Sequence, residues 1–163
     1  MSIVAYQPKT IDALHPLVAA TDFERLKYKN TASHEAEMTP EEWDLAQREY
    51  QRFLTLKLLY PQEVLVPTKQ VDTIWHAHIL DTRAYRMDCE RLFGRFIDHY
   101  PYFGIYGDDD YQALQSAFAK TCELYTRHFG ELPDEMEHQA TRCAEHSCHV
   151  PSTCACRVPG ACK

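Results

Sequence analysis

Clustered positive charge is missing from this chain, and so is any long apolar run. Lys and Arg number 17 against 24 Asp and Glu, a net charge of −7, and the basic residues are scattered. Phosphate contacts draw on grouped Lys and Arg side chains, so no nucleic-acid partner is expected. No apolar stretch approaches the roughly 20 residues that cross a bilayer, so no membrane association is expected either. The start, Met1-Ser2-Ile3-Val4-Ala5, carries neither a basic stretch nor a long apolar one, and no secretion signal is read there. The expected compartment is the cytoplasm, that of a bacterium. Glycine is scarce, at five residues, and no internal repeat is found.

What is present suits a globular fold. A hydrophobic content of 45% and a charged content of 25% in 163 residues can bury one real core. The chain divides into short helices and a loop over 1–38, a helical core domain over 39–142, and a Cys/His-rich tail over 143–163. Ile11, Leu14, Val18, Phe23 and Leu26 predict two short helices broken near Pro16 and Thr21, and 30–37 reads as loop. Thr39-Pro40-Glu41-Glu42 is a capping box with proline in the first turn. Trp43, Ala46, Tyr50, Phe53 and Leu54 then recur at helical steps, predicting one apolar stripe on a helix that stops at Tyr60, before Pro61. Pro61 to Pro67 reads as an extended connector. Thr68 and Asp81 or Thr82 can cap helices over 69–80 and 82–93, the second stopped by Gly94. Residues 95–107 hold too many aromatics, glycines and prolines for helix. Asp108-Asp109-Asp110 places negative charge at the start of a further helix, which ends at Gly130. One more helix is expected over 134–145. The fold class is all-α, about four main helices around one core.

Between Val71 and Gly104 the chain concentrates three of its nine histidines, a cysteine and several carboxylates in an apolar pattern. Polar groups inside a core-forming segment need partners, and a metal or a substrate is one way to supply them. At about 100° per residue, Val71, Ile74, Trp75 and His78 share a face, while His76 lies at its edge one turn beyond Asp72. His76 and His78 stand roughly 200° apart and cannot share an ion on a continuous helix. Two arrangements remain open. His78, His99 and His128 can converge on a metal with Cys89 as fourth ligand and His76 near by; zinc suits three imidazoles best, and copper or iron also accept them. Alternatively, Asp72 and His76 form a carboxylate–imidazole pair, catalytic if the protein is an enzyme. Against both stands the ordinary fate of a histidine on an apolar face, a hydrogen-bonded core residue. Trp75, Tyr85, Phe93, Phe96 and Phe103 read as core.

The run Val71-Asp72, Trp75-His76, His78-Ile79, Asp81-Thr82, Tyr85, Asp88-Cys89, Phe93-Gly94 and His99 through Gly104 resembles the glycine-rich domain-containing protein-like family, and the likeness extends through Tyr125 to Gly130. The resemblance covers roughly residues 40–132 and implies little chemistry. The chain departs from it in lacking a glycine-rich tail.

Five of the seven cysteines fall after residue 142. Cys143, His146, Cys148, His149, Cys154, Cys156 and Cys162 supply several tetrahedral N/S sets, and thiolates are soft ligands for zinc or copper. In a reducing cytosol such clusters read as metal ligands rather than as a disulfide framework, although the spacing matches no zinc finger. A free-thiol tail or an oxidised loop is the alternative. The functional expectation is a metal-binding protein with a core histidine site and a thiol-rich tail. The alternatives are a small metalloenzyme acting on a small molecule or peptide, and a metal-free module that binds another protein.

Overall fold

Six helices follow one another, with no strand, among the residues that the computed structural model describes, 13–130: α1 (Pro16–Ala19), α2 (Glu24–Thr31), α3 (Pro40–Leu59), α4 (Lys69–Leu80), α5 (Thr82–Phe93) and α6 (Asp108–Phe129). Their boundaries have local causes. Thr39 Oγ1 accepts from the Glu42 amide while Glu42 accepts from the Thr39 amide at 2.8 Å, so the capping box forms. Thr68 Oγ1 accepts from the Val71 amide and Asp81 Oδ1 from the Ala84 amide, starting α4 and α5. Gly94 ends α5 in the left-handed region, at φ 65°.

The four long helices lie where the sequence predicts them. The N-terminal part differs. Pro16 does not break a helix but opens α1, since a proline in the first turn forfeits only an amide that has no partner there. His15 before it is extended, and its Nδ1 accepts from the Leu17 amide. Helix α2 also runs into the expected loop as far as Thr31, where the Asn30 and Thr31 side chains donate back to carbonyls one turn earlier. Ile11, the helix expected over 134–145 and the tail lie outside the described residues.

Helix α3 is the shared partner: α1, α2, α4 and α6 all pack on it. Its stripe of Trp43, Ala46, Tyr50, Phe53 and Leu54 is buried, and Leu56 extends it. Helix α4 answers with Val71, Ile74, Trp75 and His78, and α5 with Tyr85, Cys89 and Leu92. Each large apolar side chain buried this way stabilises by about 1.5–3 kcal/mol. Of the expected core residues, Trp75 and Tyr85 are buried, Phe93 and Phe103 are half-buried against the core, and Phe96 is 49% exposed, in the loop before the buried Ile97. Between α3 and α6, Arg52 Nη1 donates to Glu49 Oε1 at 2.7 Å and to the Tyr125 hydroxyl, which donates to Glu49 Oε2. No helix among the described residues is long and apolar enough to cross a membrane.

The segment between α5 and α6 is irregular but pinned. Asp110 accepts from the Gly104 amide at 2.8 Å and from the Tyr106 amide at 3.1 Å. Gly104 has φ 86°, and a Cβ there would stand 2.5 Å from Leu114 Cδ2. Both conformation and space therefore demand glycine. Gly104→Ala should cost about 1–3 kcal/mol, read as a lower urea midpoint at unchanged m-value; a stability equal to that of the parent chain would show that the segment can relax.

Candidate metal centre

Helix α4 offers two side chains to one side of its surface, Asp72 and, one turn on, His76. The irregular segment after α5 brings a third, His99. Its Nε2 lies 2.8 Å from Asp72 Oδ1 and 3.0 Å from His76 Nε2, and His76 Nε2 lies 3.4 Å from Asp72 Oδ2. Among the described residues, these three form the group of His, Cys, Asp and Glu side chains whose ligand atoms come together closely enough for one ion. Asp72 and His99 are largely covered, with side chains 16% and 12% exposed, while His76 is 56% exposed.

The closeness of the two imidazole nitrogens and the carboxylate is awkward for protons alone. One proton on His99 Nε2 cannot point straight at both the carboxylate and His76. Moving it to His76 leaves a lone pair of His99 facing a carboxylate oxygen at 2.8 Å. Protonating both rings on Nε2 serves the carboxylate but sets two N–H groups against each other at 3.0 Å.

Tyr85 fixes the position of His99. Its hydroxyl receives the Trp75 Nε1–H at 2.9 Å and donates to the Ile97 carbonyl at 2.6 Å, two residues before His99. The Trp75 ring packs against the His99 ring, centroids 4.6 Å apart. Burial pushes the Tyr85 hydroxyl well above the usual phenol range, so it stays a donor. Trp75 also carries the Lys57 ammonium 5.4 Å from its ring centroid; burial, then the charge of Arg95, lowers the pKa of that ammonium to about 8.

Beside Asp72 and His99 opens a cleft of about 280 Å³. Val64, Leu65 and Val66 of the connector line it, together with Tyr100 and Phe103 of the irregular segment, Leu114 of α6 and Trp75. Leu65, Val66 and Leu114 are buried at its floor, whereas Val64 and Tyr100 are exposed at its mouth.

The other residues expected at a metal have partners of their own. His78 is 3% exposed, ringed edge-on by Phe23, Tyr50 and Tyr85. Its Nδ1 lies 2.9 Å from the Tyr50 hydroxyl and its Nε2 3.0 Å from Asp88 Oδ2, so both nitrogens are engaged within the core. Asp88 also accepts from Arg91, whose guanidinium reaches the Leu17 carbonyl and Thr21 on and after α1. His128 Nε2 lies 2.7 Å from the Tyr60 hydroxyl, and burial, then the Arg127 charge, holds its pKa below the ordinary value. Burial pushes the Cys89 thiol up despite its hydrogen bonds with Ile97 and Tyr85, and a protonated thiol is a poor ligand. The structure thus groups His99 and His76 with Asp72, not with His78, His128 or Cys89. For His78 the physical reason is the rotation along α4 that separates it from His76; His128, at the end of α6, is held by Tyr60, and Cys89 is buried on α5. Cys143, His146, Cys148, His149, Cys154, Cys156 and Cys162 lie outside the described residues.

Two outcomes follow. Tyr85→Phe removes the acceptor of a buried Trp N–H and the donor to Ile97; it should cost about 1–3 kcal/mol and give a larger His99 chemical-shift dispersion between conformers in NMR spectra, whereas an unchanged melting curve would refute the tie. At Asp88, burial opposes charge, but the hydrogen bonds and charges of His78 and Arg91 outweigh it and hold the carboxyl below its ordinary value. A depressed folded-state pKa gives stability that is present above the unfolded value, about 3.9, and lost as pH falls further. Urea midpoints should therefore fall below about pH 4, with a shallower acid limb in Asp88→Asn; parallel limbs would remove Asp88 from the account.

Among known proteins, a family model described as UCP032817-like matches residues 14–139. No curated protein and no solved structure matches the chain. The likeness of the Trp75-His76 run to glycine-rich domain-containing proteins is thereby corrected: it rested on motifs scattered through part of the helical core, whereas the UCP032817-like match runs from before α1 to beyond α6, and nothing found indicates the glycine-rich family. The chain belongs to the UCP032817-like family, an uncharacterised one.

Proposed function

We propose that the protein binds a divalent transition metal, zinc first among the candidates, through Asp72, His76 and His99. The observation that carries this reading is the convergence of three side chains: the His76 and His99 Nε2 atoms lie 3.0 Å apart, with Asp72 Oδ1 2.8 Å from His99 and Asp72 Oδ2 3.4 Å from His76. Ligands held at about 2.0–2.2 Å from one ion stand about 3.0–3.4 Å apart at angles of 90–110°; the two imidazole nitrogens already have that spacing, and the carboxylate offers an oxygen close to each. A cation between these groups would also take up lone pairs of both imidazoles and of the carboxylate, which protons alone serve badly. Two imidazoles and a carboxylate with positions left over suit zinc or iron(II), and copper is the softer alternative. Three protein ligands leave room for a further one, the mark of a working site rather than a closed structural one.

The test uses the full chain, made without an affinity tag, with the five tail cysteines replaced by serine. It should carry about one zinc or cobalt per chain, and Asp72→Asn or His99→Ala should weaken binding by at least roughly tenfold. His128→Ala should leave binding unchanged. Absence of metal from the serine-tail chain, or equal losses in Asp72→Asn and His128→Ala, would rule out this centre.

A further inference from the structure

From the cleft we infer the class of molecule that completes the centre: a small monoanion whose single donor group binds the ion and whose body is apolar and about the size of an aromatic ring, such as an aryl or branched aliphatic carboxylate. This inference rests on the metal-binding reading above.

Direction comes first. Asp72 and His99 form part of the cleft wall, whereas His76 does not border it and faces outward. An ion held by all three has the cleft on its Asp72–His99 side, so its remaining position is reached from there. Charge comes second. A divalent ion with one carboxylate and two neutral imidazoles carries one positive charge. The cleft lining contains no Lys or Arg, and its single carboxylate is the ligand Asp72. One negative charge is therefore balanced, and only at the ion; a phosphate or dicarboxylate would bring a second charge into apolar surroundings with nothing to meet it. Size and polarity come third. The walls beyond the ligands are Val64, Leu65, Val66, Phe103 and Leu114, with Trp75 and Tyr100 supplying aromatic surface. A benzene ring occupies an apolar cavity of about 150 Å³, so about 280 Å³ holds a ring and a short arm that reaches the metal.

The experiment loads the serine-tail chain with cobalt(II) and follows its visible spectrum during titration with phenylacetate, acetate, 2-phenylethanol and inorganic phosphate. Phenylacetate should shift the spectrum and bind on the order of tenfold to a hundredfold tighter than acetate, since its ring leaves water. The uncharged 2-phenylethanol should leave the spectrum unchanged, and phosphate should bind no better than acetate. Val64→Trp, at an exposed position on the cleft mouth, should keep the cobalt spectrum and the melting temperature while bringing phenylacetate down to the level of acetate. Phe103→Ala should lower the preference without removing the metal. A cobalt spectrum that phenylacetate does not move, equal affinity for the two carboxylates, tighter phosphate binding, or a preference that survives both substitutions would overturn the cleft assignment alone. No cobalt spectrum in the parent chain would overturn the metal reading and this inference together.

Discussion

The relay from Trp75 through the Tyr85 hydroxyl to the Ile97 carbonyl is the constraint on which the candidate centre depends. It joins three things that sequence order keeps apart: the helix carrying Asp72 and His76, the helix after it, and the irregular segment that delivers His99. A hydroxyl that both accepts and donates within the core fixes direction as well as distance, because reversing it would strand two buried groups. The indole is used three times over. Its N–H feeds the relay, one part of its ring meets His99, and Lys57 lies over it.

The two neighbouring histidines of the Trp-His-Ala-His run have opposite fates, and helix geometry assigns them. His78 faces α3 and closes a polar chain of Tyr50, Asp88 and Arg91 that links α4 and α5 to the N-terminal helix. Its work is to satisfy polarity inside the core. His76, two residues earlier, faces out and meets Asp72 and His99. A motif written as two histidines is thus one structural residue and one candidate ligand.

The helices were legible because their signals are local. A threonine, a proline and a glutamate within four residues announce α3, and a glycine with positive φ stops α5. The same rules placed Asp72 one turn before His76. The meeting of His99 with that pair was not legible, because it depends on how thirteen irregular residues fold back, and on the Tyr85 relay. Asp110 illustrates the gap: as part of an acidic triplet it reads as dipole compensation, yet its carboxylate clamps two amides of the aromatic segment. His78 was read correctly as inward-facing, but its partners Tyr50 and Asp88 arrive from other helices, and no spacing rule names them. The N-terminal break at Pro16 failed because proline both ends and begins helices, and only the following residues decide which.

Chain separation orders the entropic cost of assembly. Apart from the one-turn pair Asp72 and His76, the contacts that set up the candidate centre join residues 10 to 27 apart. Those that dock α6 on α3 and on the connector span 55 to 76 residues. Closing the longer loops costs roughly 1 kcal/mol more each, and that cost must be met before the contacts reward it. The stretch with the candidate ligands is therefore the cheaper part to close, while the share of the cleft floor that Leu114 of α6 supplies waits for the costlier step. A chain caught part-way through folding would present the three candidate ligand side chains before it had a pocket beside them.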